Sequence, residues 1–131
     1  MVAQRNSKYT AKTVAAIRRL GHATNAQILA ELRTDYPTLS ATTVHRITAR
    51  LAERGVIGIA PSASDGSCRY DADPKPHDHF VCEDCQIIRN INVSDFLIPH
   101  IEKALDGCKI NGSLTVQGTC KLCAIKESHI A

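Results

Sequence analysis

Through the first third of this 131-residue chain, apolar side chains recur every three or four positions with polar ones between them. Val14, Ile17 and Leu20 share one helical face from Thr10 onward, and Gly21 is placed to end that helix. The polar residues 1–8 ahead of it are expected to fray. Asn25 is a natural cap for a second helix over residues 25–33, with Ile28, Leu29 and Leu32 facing inward. Tyr36-Pro37 interrupts the pattern, and Ser40 caps a third helix over residues 40–54 that Gly55 closes. A short apolar strand over 56–60, a turn cluster over 61–67 and a return strand over 68–71 complete this half.

The third helix has two distinct sides. Val44, Ile47, Thr48 and Leu51 fall together at about 100° per residue. Thr42, Arg46, Ala49 and Glu53 fall opposite, flanked by His45 and Arg50. Small residues, two arginines and hydrogen-bonding side chains on one face suit a DNA major groove. The same periodicity also describes an amphipathic core helix whose other face is merely solvated. The hairpin that follows favours the first reading, because three helices and then a hairpin is the order of a winged helix-turn-helix. In that fold the hairpin touches the DNA backbone, and Arg69 on the return strand is placed for a phosphate contact.

Beyond residue 71 the pattern changes. Residues 72–76 hold two prolines in five positions and read as a hinge. His77-Asp78-His79-Phe80-Val81-Cys82-Glu83-Asp84-Cys85 follows, then a strand over 86–93 and a helix over 94–106. Pro99 lies inside that helix, which is expected to kink there or begin later. Loose alternation over 108–117 reads as a last strand before Cys120-Lys121-Leu122-Cys123.

Two C-x-x-C knuckles, 34 residues apart, put four thiolates within reach of one ion. Cys82, Cys85, Cys120 and Cys123 together make a closed tetrahedral zinc site that staples the ends of a small α/β domain. A redox dithiol pair is the other reading, but no thioredoxin-like βαβ pattern surrounds either knuckle. Cys68 and Cys108 stand apart and are expected to be buried free thiols. His77 and His79 alternate on a strand and can share a second, exchangeable ion, a pair of solvated histidines being the other reading; imidazoles with a carboxylate suit Fe2+, Mn2+, Zn2+ or Ni2+.

Composition and charge sharpen the division. Residues 1–75 carry 11 Lys and Arg against 6 Asp and Glu, whereas residues 76–131 carry 5 against 7, so the basic half is the one suited to a polyanion. No run approaches the length of a membrane span, and the N-terminus shows no apolar signal region, so the expected compartment is the cytoplasm. The fold class that follows is α+β: a winged helix over 1–71, a hinge over 72–76 and a metal-binding domain over 77–131.

These motifs resemble the ferric uptake regulator (Fur) family of bacterial metal-dependent repressors. Ser40-Ala41-Thr42-Thr43-Val44-His45-Arg46-Ile47 is similar to its recognition-helix pattern S-x-x-T-V-Y-R-x-L, with His45 in place of the usual Tyr. His77 to Cys85 resembles its H-x-H-x-x-C-x-x-C, and Gly118 to Cys123 resembles its G-x-C-x-x-C. The resemblance implies a cytoplasmic homodimer, formed through the second domain, on double-stranded DNA with an inverted repeat. It implies a structural zinc on the four cysteines and a regulatory metal between the domains. The regulatory ligands fall on His22, Asp71, His77 and His79, with Asn90 where a last carboxylate stands in relatives and Asp95 as a substitute through a register shift. Thr42, Thr43, His45, Arg46 and Arg50 fall on the DNA-reading face. Asp71 stands where zinc-uptake regulators more often carry Cys, so the ligand pattern comes nearest the peroxide-sensing members, with Fe2+ or Mn2+ as the regulatory ion and His22 and His77 as the imidazoles open to oxidation. The metal site that some relatives build with a His shortly before the last C-x-x-C has no such His here.

The expected function is therefore a repressor of oxidative-stress or metal-homeostasis genes, neither an enzyme nor a binder of a small-molecule substrate. An iron-, zinc- or nickel-uptake regulator of the same family is the nearer rival. A metalloenzyme using the His/Asp site is a distant one, without an evident general base or substrate loop, and a purely structural zinc module is a third.

Overall fold

The computed structural model describes residues 2–130, with side chains over 8–127. The chain forms two compact units, Met1–Lys75 and Pro76–Ala131.

In the first unit, α1 (Val2–Leu20) starts well before Thr10. The polar composition that predicted fraying contains Ala, Gln, Arg and Lys and no Gly or Pro, so nothing in it opposes a helix. Its inner face buries Thr13, Ala16 and Ile17, and the Thr13 hydroxyl donates to the Tyr9 carbonyl at 2.7 Å. Gly21, at φ +79°, closes the helix with its N–H on the Ile17 carbonyl at 2.7 Å. That left-handed turn feeds directly into β1 (His22–Thr24), a strand that periodicity did not predict because three residues are too few to show one.

The cap of α2 (Asn25–Leu32) is Thr24 rather than Asn25. The Thr24 hydroxyl accepts from the Gln27 N–H at 3.2 Å, and the Gln27 carboxamide accepts from the Thr24 N–H at 2.9 Å. This reciprocal box satisfies two otherwise orphaned donors and moves the helix start back by one residue. By contrast, α3 (Ala41–Glu53) is capped by Ser40 as expected. It buries Val44, Ile47, Thr48 and Leu51 against Ile17, Ile28 and Leu32.

The hairpin is β2 (Gly58–Ala60) and β3 (Arg69–Asp71), and with β1 it makes an antiparallel sheet in the order β1-β3-β2. A Cβ on Gly58 would stand 2.8 Å from the Asp73 carbonyl oxygen, so β2 can pass the segment leaving β3 only without a side chain. Cys68 is exposed, contrary to expectation, because it sits at the end of the wing turn, just outside the strand.

The second unit is built on β4 (Asp78–Cys82), antiparallel to β5 (Ile88–Ile91) and parallel to β6 (Thr115–Gly118). Between β5 and β6 lies α4 (Ser94–Ala104), and α5 (Lys121–Ile130) follows β6. Pro99 sits inside α4 without delaying its start; its missing N–H forfeits one bond, to an Asp95 carbonyl on an exposed first turn. The last strand is shorter than expected, and two amides of the segment before it bond to side chains. The Ile110 N–H goes to the Glu102 carboxylate and the Leu114 N–H to Asp78, both at 2.9 Å. Cys108 lies in that unpaired segment and is likewise exposed.

Asp78 is 3% exposed and holds the unit together. Its carboxylate accepts the N–H groups of Val93, Ser94 and Leu114 at 2.8–3.0 Å and the Ser94 hydroxyl. Burial alone would raise its pKa, but these donors outweigh burial and hold it at about 2.

Replacing Gly58 by Val forces a clash with backbone and is expected to destabilise the first unit by about 1–3 kcal/mol. Asp78→Ala strands three backbone donors and is expected to cost the second unit about 3 kcal/mol or more. Urea denaturation followed by circular dichroism measures both; a wild-type midpoint in either variant would contradict the corresponding assignment.

Candidate metal centres and nucleic-acid interface

The cysteine cluster comes from strand register. β4 ends at Cys82, and the turn through Gln86, at φ 66°, brings Cys85 back beside it. β6 runs parallel to β4 with Gly118 opposite Cys82, which delivers Cys120 to the same end of the sheet, and the first turn of α5 adds Cys123. The four sulfurs lie within 4.8 Å of one another, and Cys85 Sγ is 3.8 Å from Cys120 Sγ. Zinc–sulfur bonds of about 2.3 Å in a tetrahedron give a sulfur–sulfur edge of about 3.8 Å.

The electrostatics agree with that donor set. Cys82 Sγ accepts the N–H groups of Cys85 at 3.5 Å and Cys120 at 3.3 Å, which lower its pKa to about 6. Cys123 is pushed up to about 12 by its hydrogen bond with Cys120, then by burial and the other sulfurs. One favoured thiolate among neighbours that resist ionisation is the pattern a dication resolves, since it deprotonates coordinating thiols outright. All six cysteines are free, with no disulfide drawing any of them out of such a site.

In the first unit, β1 and β3 place His22 opposite Asp71, and Nε2 of the imidazole lies 3.2 Å from Oδ2 of the carboxylate. The other carboxylate oxygen accepts the Asp73 N–H at 2.9 Å, and Asp73 in turn accepts the Lys75 N–H at 2.9 Å. Asp71 thus joins the end of the wing to the start of the segment over 72–76.

In the second unit, His77 stands just before β4 and His79 on it, with ring centroids 4.4 Å apart. Asn90 is opposite His79 in register, and its Oδ1 lies 3.1 Å from His77 Nε2. The side chain beside the imidazoles is therefore a neutral carboxamide, whereas Asp95 is exposed in the first turn of α4. Asp78, between the two histidines, is turned into its hydrogen-bond network. The sequence signal for that was the alternation itself, which puts a carboxylate on the opposite face from the imidazoles.

The outer face of α3 exposes Thr42, His45, Arg46, Ala49, Arg50 and Glu53. Thr43 is half-buried at the cap, with its hydroxyl 2.9 Å from the Ser40 hydroxyl. Arg69 is only 7% exposed and donates to the carbonyls of Pro61 at 3.1 Å and Ser62 at 3.2 Å, so its guanidinium ties the wing turn to β3. Asn25 went unnoticed as a contributor to this face. Displaced from the cap by Thr24, it places Oδ1 2.8 Å from the Thr48 hydroxyl and Nδ2 3.3 Å from His45 Nδ1.

Substituting Cys120 by Ser is expected to abolish tight zinc retention and lower the thermal midpoint of the second unit. Metal content after dialysis against EDTA, measured by mass spectrometry, checks it: about one zinc per chain in the wild type and none in the variant.

Comparison with known proteins comes to the same place. The family model described as the Ferric uptake regulator family matches residues 4–111. The peroxide operon regulator of Bacillus subtilis (strain 168) is 26% identical over 120 residues, covering 86% of this chain and 79% of that one. Among solved structures, the Helicobacter pylori ferric uptake regulator superposes with a TM-score of 0.73 at 23% identity, over 89% of this chain and 80% of that chain. The Campylobacter jejuni peroxide stress regulator gives 0.68 at 22% identity, over 92% of each chain. With the family model running through the winged helix, the histidine pair and the first cysteine knuckle, the chain belongs to the Ferric uptake regulator family.

Proposed function

We propose that this chain is a metal-responsive transcriptional repressor, not an enzyme, that binds DNA as a homodimer and responds to Fe2+ or Mn2+, with peroxide releasing the Fe2+ form. The observation that carries the reading is His22 against Asp71 on paired strands of the DNA-binding unit. A domain that only read DNA would have no use for an imidazole and a carboxylate at the root of its wing. A metal-gated one would.

His22 and Asp71 from the first unit, with His77 and His79 from the second, would hold the regulatory ion, and Asn90 would add a neutral oxygen. A bound ion there supplies a cross-link between the units across the hinge at 72–76. In a dimer, holding that hinge sets the separation of the two α3 helices to match an inverted repeat. Metal and DNA then favour one conformer, and each tightens the other. A nitrogen and oxygen donor set favours Fe2+ or Mn2+ over a thiolate-type zinc sensor. The B. subtilis peroxide operon regulator, as a relative, supports the peroxide arm. The four cysteines would hold a permanent zinc.

Support for the dimer comes from the second unit taken by itself. No residue of α4 is buried, and Phe96, Leu105, Leu122 and Ile125 are exposed. A small unit whose helices leave that much apolar surface unburied is of the kind a second copy covers.

The test is anaerobic binding to an inverted repeat selected from random duplexes, with Fe2+, Mn2+, Zn2+ or Ni2+ added in turn and each complex then challenged with peroxide. Fe2+ and Mn2+ are expected to drive binding, and peroxide to release only the Fe2+ complex. Asp71→Ala and His77→Ala are each expected to weaken metal-dependent binding about 100-fold while keeping the cysteine-bound zinc. Binding indifferent to added metal would overturn the sensing mechanism, and activation by zinc alone would make the protein a zinc regulator.

A further inference from the structure

The reading face of α3, taken in the DNA-binding role proposed above, is contacted from α2. Asn25, the first residue of α2, reaches across to α3 and touches two of its side chains. Its Oδ1 has no proton to give, so the Thr48 hydroxyl, 2.8 Å away on a fully buried residue, donates to it. That contact is shorter than the hydroxyl's distances to the carbonyls of Val44, 3.1 Å, and His45, 3.2 Å. With Oδ1 committed, Nδ2 faces the His45 ring at 3.3 Å and can only donate. His45 Nδ1 must then accept, and a neutral imidazole with an accepting Nδ1 carries its proton on Nε2. His45 is exposed on the outer face of α3, one turn from Thr42 and Ala49 and beside Arg46.

We infer that Asn25 is a positioning residue for DNA recognition: it locks His45 in the Nε2–H tautomer, so that α3 presents a hydrogen-bond donor that guanine, thymine or adenine can meet in the major groove and cytosine cannot. Guanine offers O6 and N7 there, thymine O4 and adenine N7, whereas cytosine presents only its amino donor, which this nitrogen cannot accept. A recognition helix with His at this position would therefore differ in base choice from one with a phenol, and the choice is set from α2.

Asn25→Asp separates positioning from packing. The carboxylate still accepts from Thr48 and favours a helix N-terminus, so the fold is retained. Facing the ring it can only accept, which moves the proton to Nδ1 and leaves Nε2 an acceptor. Full-length, metal-loaded wild type, N25D and H45A are compared by selection from random duplexes at about pH 8.5, where imidazolium is minor. Nitrogen-15 spectra of histidine-labelled protein report the tautomer. Wild type is expected to show Nε2–H at His45 and roughly five- to tenfold depletion of C at one position of each half-site. H45A is expected to lose that preference alone, and N25D to show Nδ1–H and to admit C at that position while disfavouring G and T. The same exclusion of C in all three proteins, or an Nδ1–H tautomer in the wild type, overturns the inference while leaving DNA binding intact. If wild type selects no sequence at all, the DNA-binding reading itself falls.

Discussion

A single buried carboxylate, Asp78, accepts hydrogen bonds from Val93, Ser94 and Leu114 and so ties β4 to the start of α4 and to the segment entering β6. Burying a charge is costly unless its lone pairs are filled, and here four donors fill them. The reward is positional. β4 is the middle strand of its sheet, with His79 near one end and Cys82 at the other. Anchoring Leu114 beside Asp78 sets β6 in parallel register, with Gly118 opposite Cys82, and that register is what brings Cys120 and Cys123 to the knuckle. Both candidate metal-binding groups of the second unit therefore hang on a strand whose neighbours are set by Asp78.

The first unit applies the same logic on a smaller scale. β3 lies between β1 and β2, so its last residue, Asp71, meets His22 on one side and Gly58 on the other. Each carboxylate oxygen has its own partner, His22 for one and the Asp73 amide for the other. The absence of a side chain at Gly58 lets the segment leaving the wing fold back over β2. Asn25 likewise connects α2 to α3 through Thr48 and His45, so the orientation of the outer face is not a property of α3 alone.

What could be read directly were features whose chemistry is local. Four cysteines in two C-x-x-C pairs have few uses, and the helical period of Val44, Ile47 and Leu51 identifies α3 and its outer face without reference to any other element. Features that misled had two local solutions. Thr24 and Asn25 can each cap a helix, and only the position of Gln27 relative to Thr24 decides between them. Residues 108–114 alternate well enough for a strand, but Glu102 takes the Ile110 amide and Asp78 the Leu114 amide. Cys68 and Cys108 look like core thiols by residue type, yet each falls just outside a regular element and is exposed.

By itself, then, the sequence determined most of the helices and strands, though not β1 or α5, the grouping of the four C-x-x-C cysteines and which side of α3 faces outward, because these depend on spacing along the chain. Tertiary structure alone decided which residues meet across it: His22 with Asp71 through a three-residue strand, Asn90 rather than Asp95 beside His77, and Asn25 with His45. Such pairings arise from strand register and helix contact between segments distant in sequence. A one-residue slip would reverse every side chain in a strand while leaving its local pattern almost unchanged.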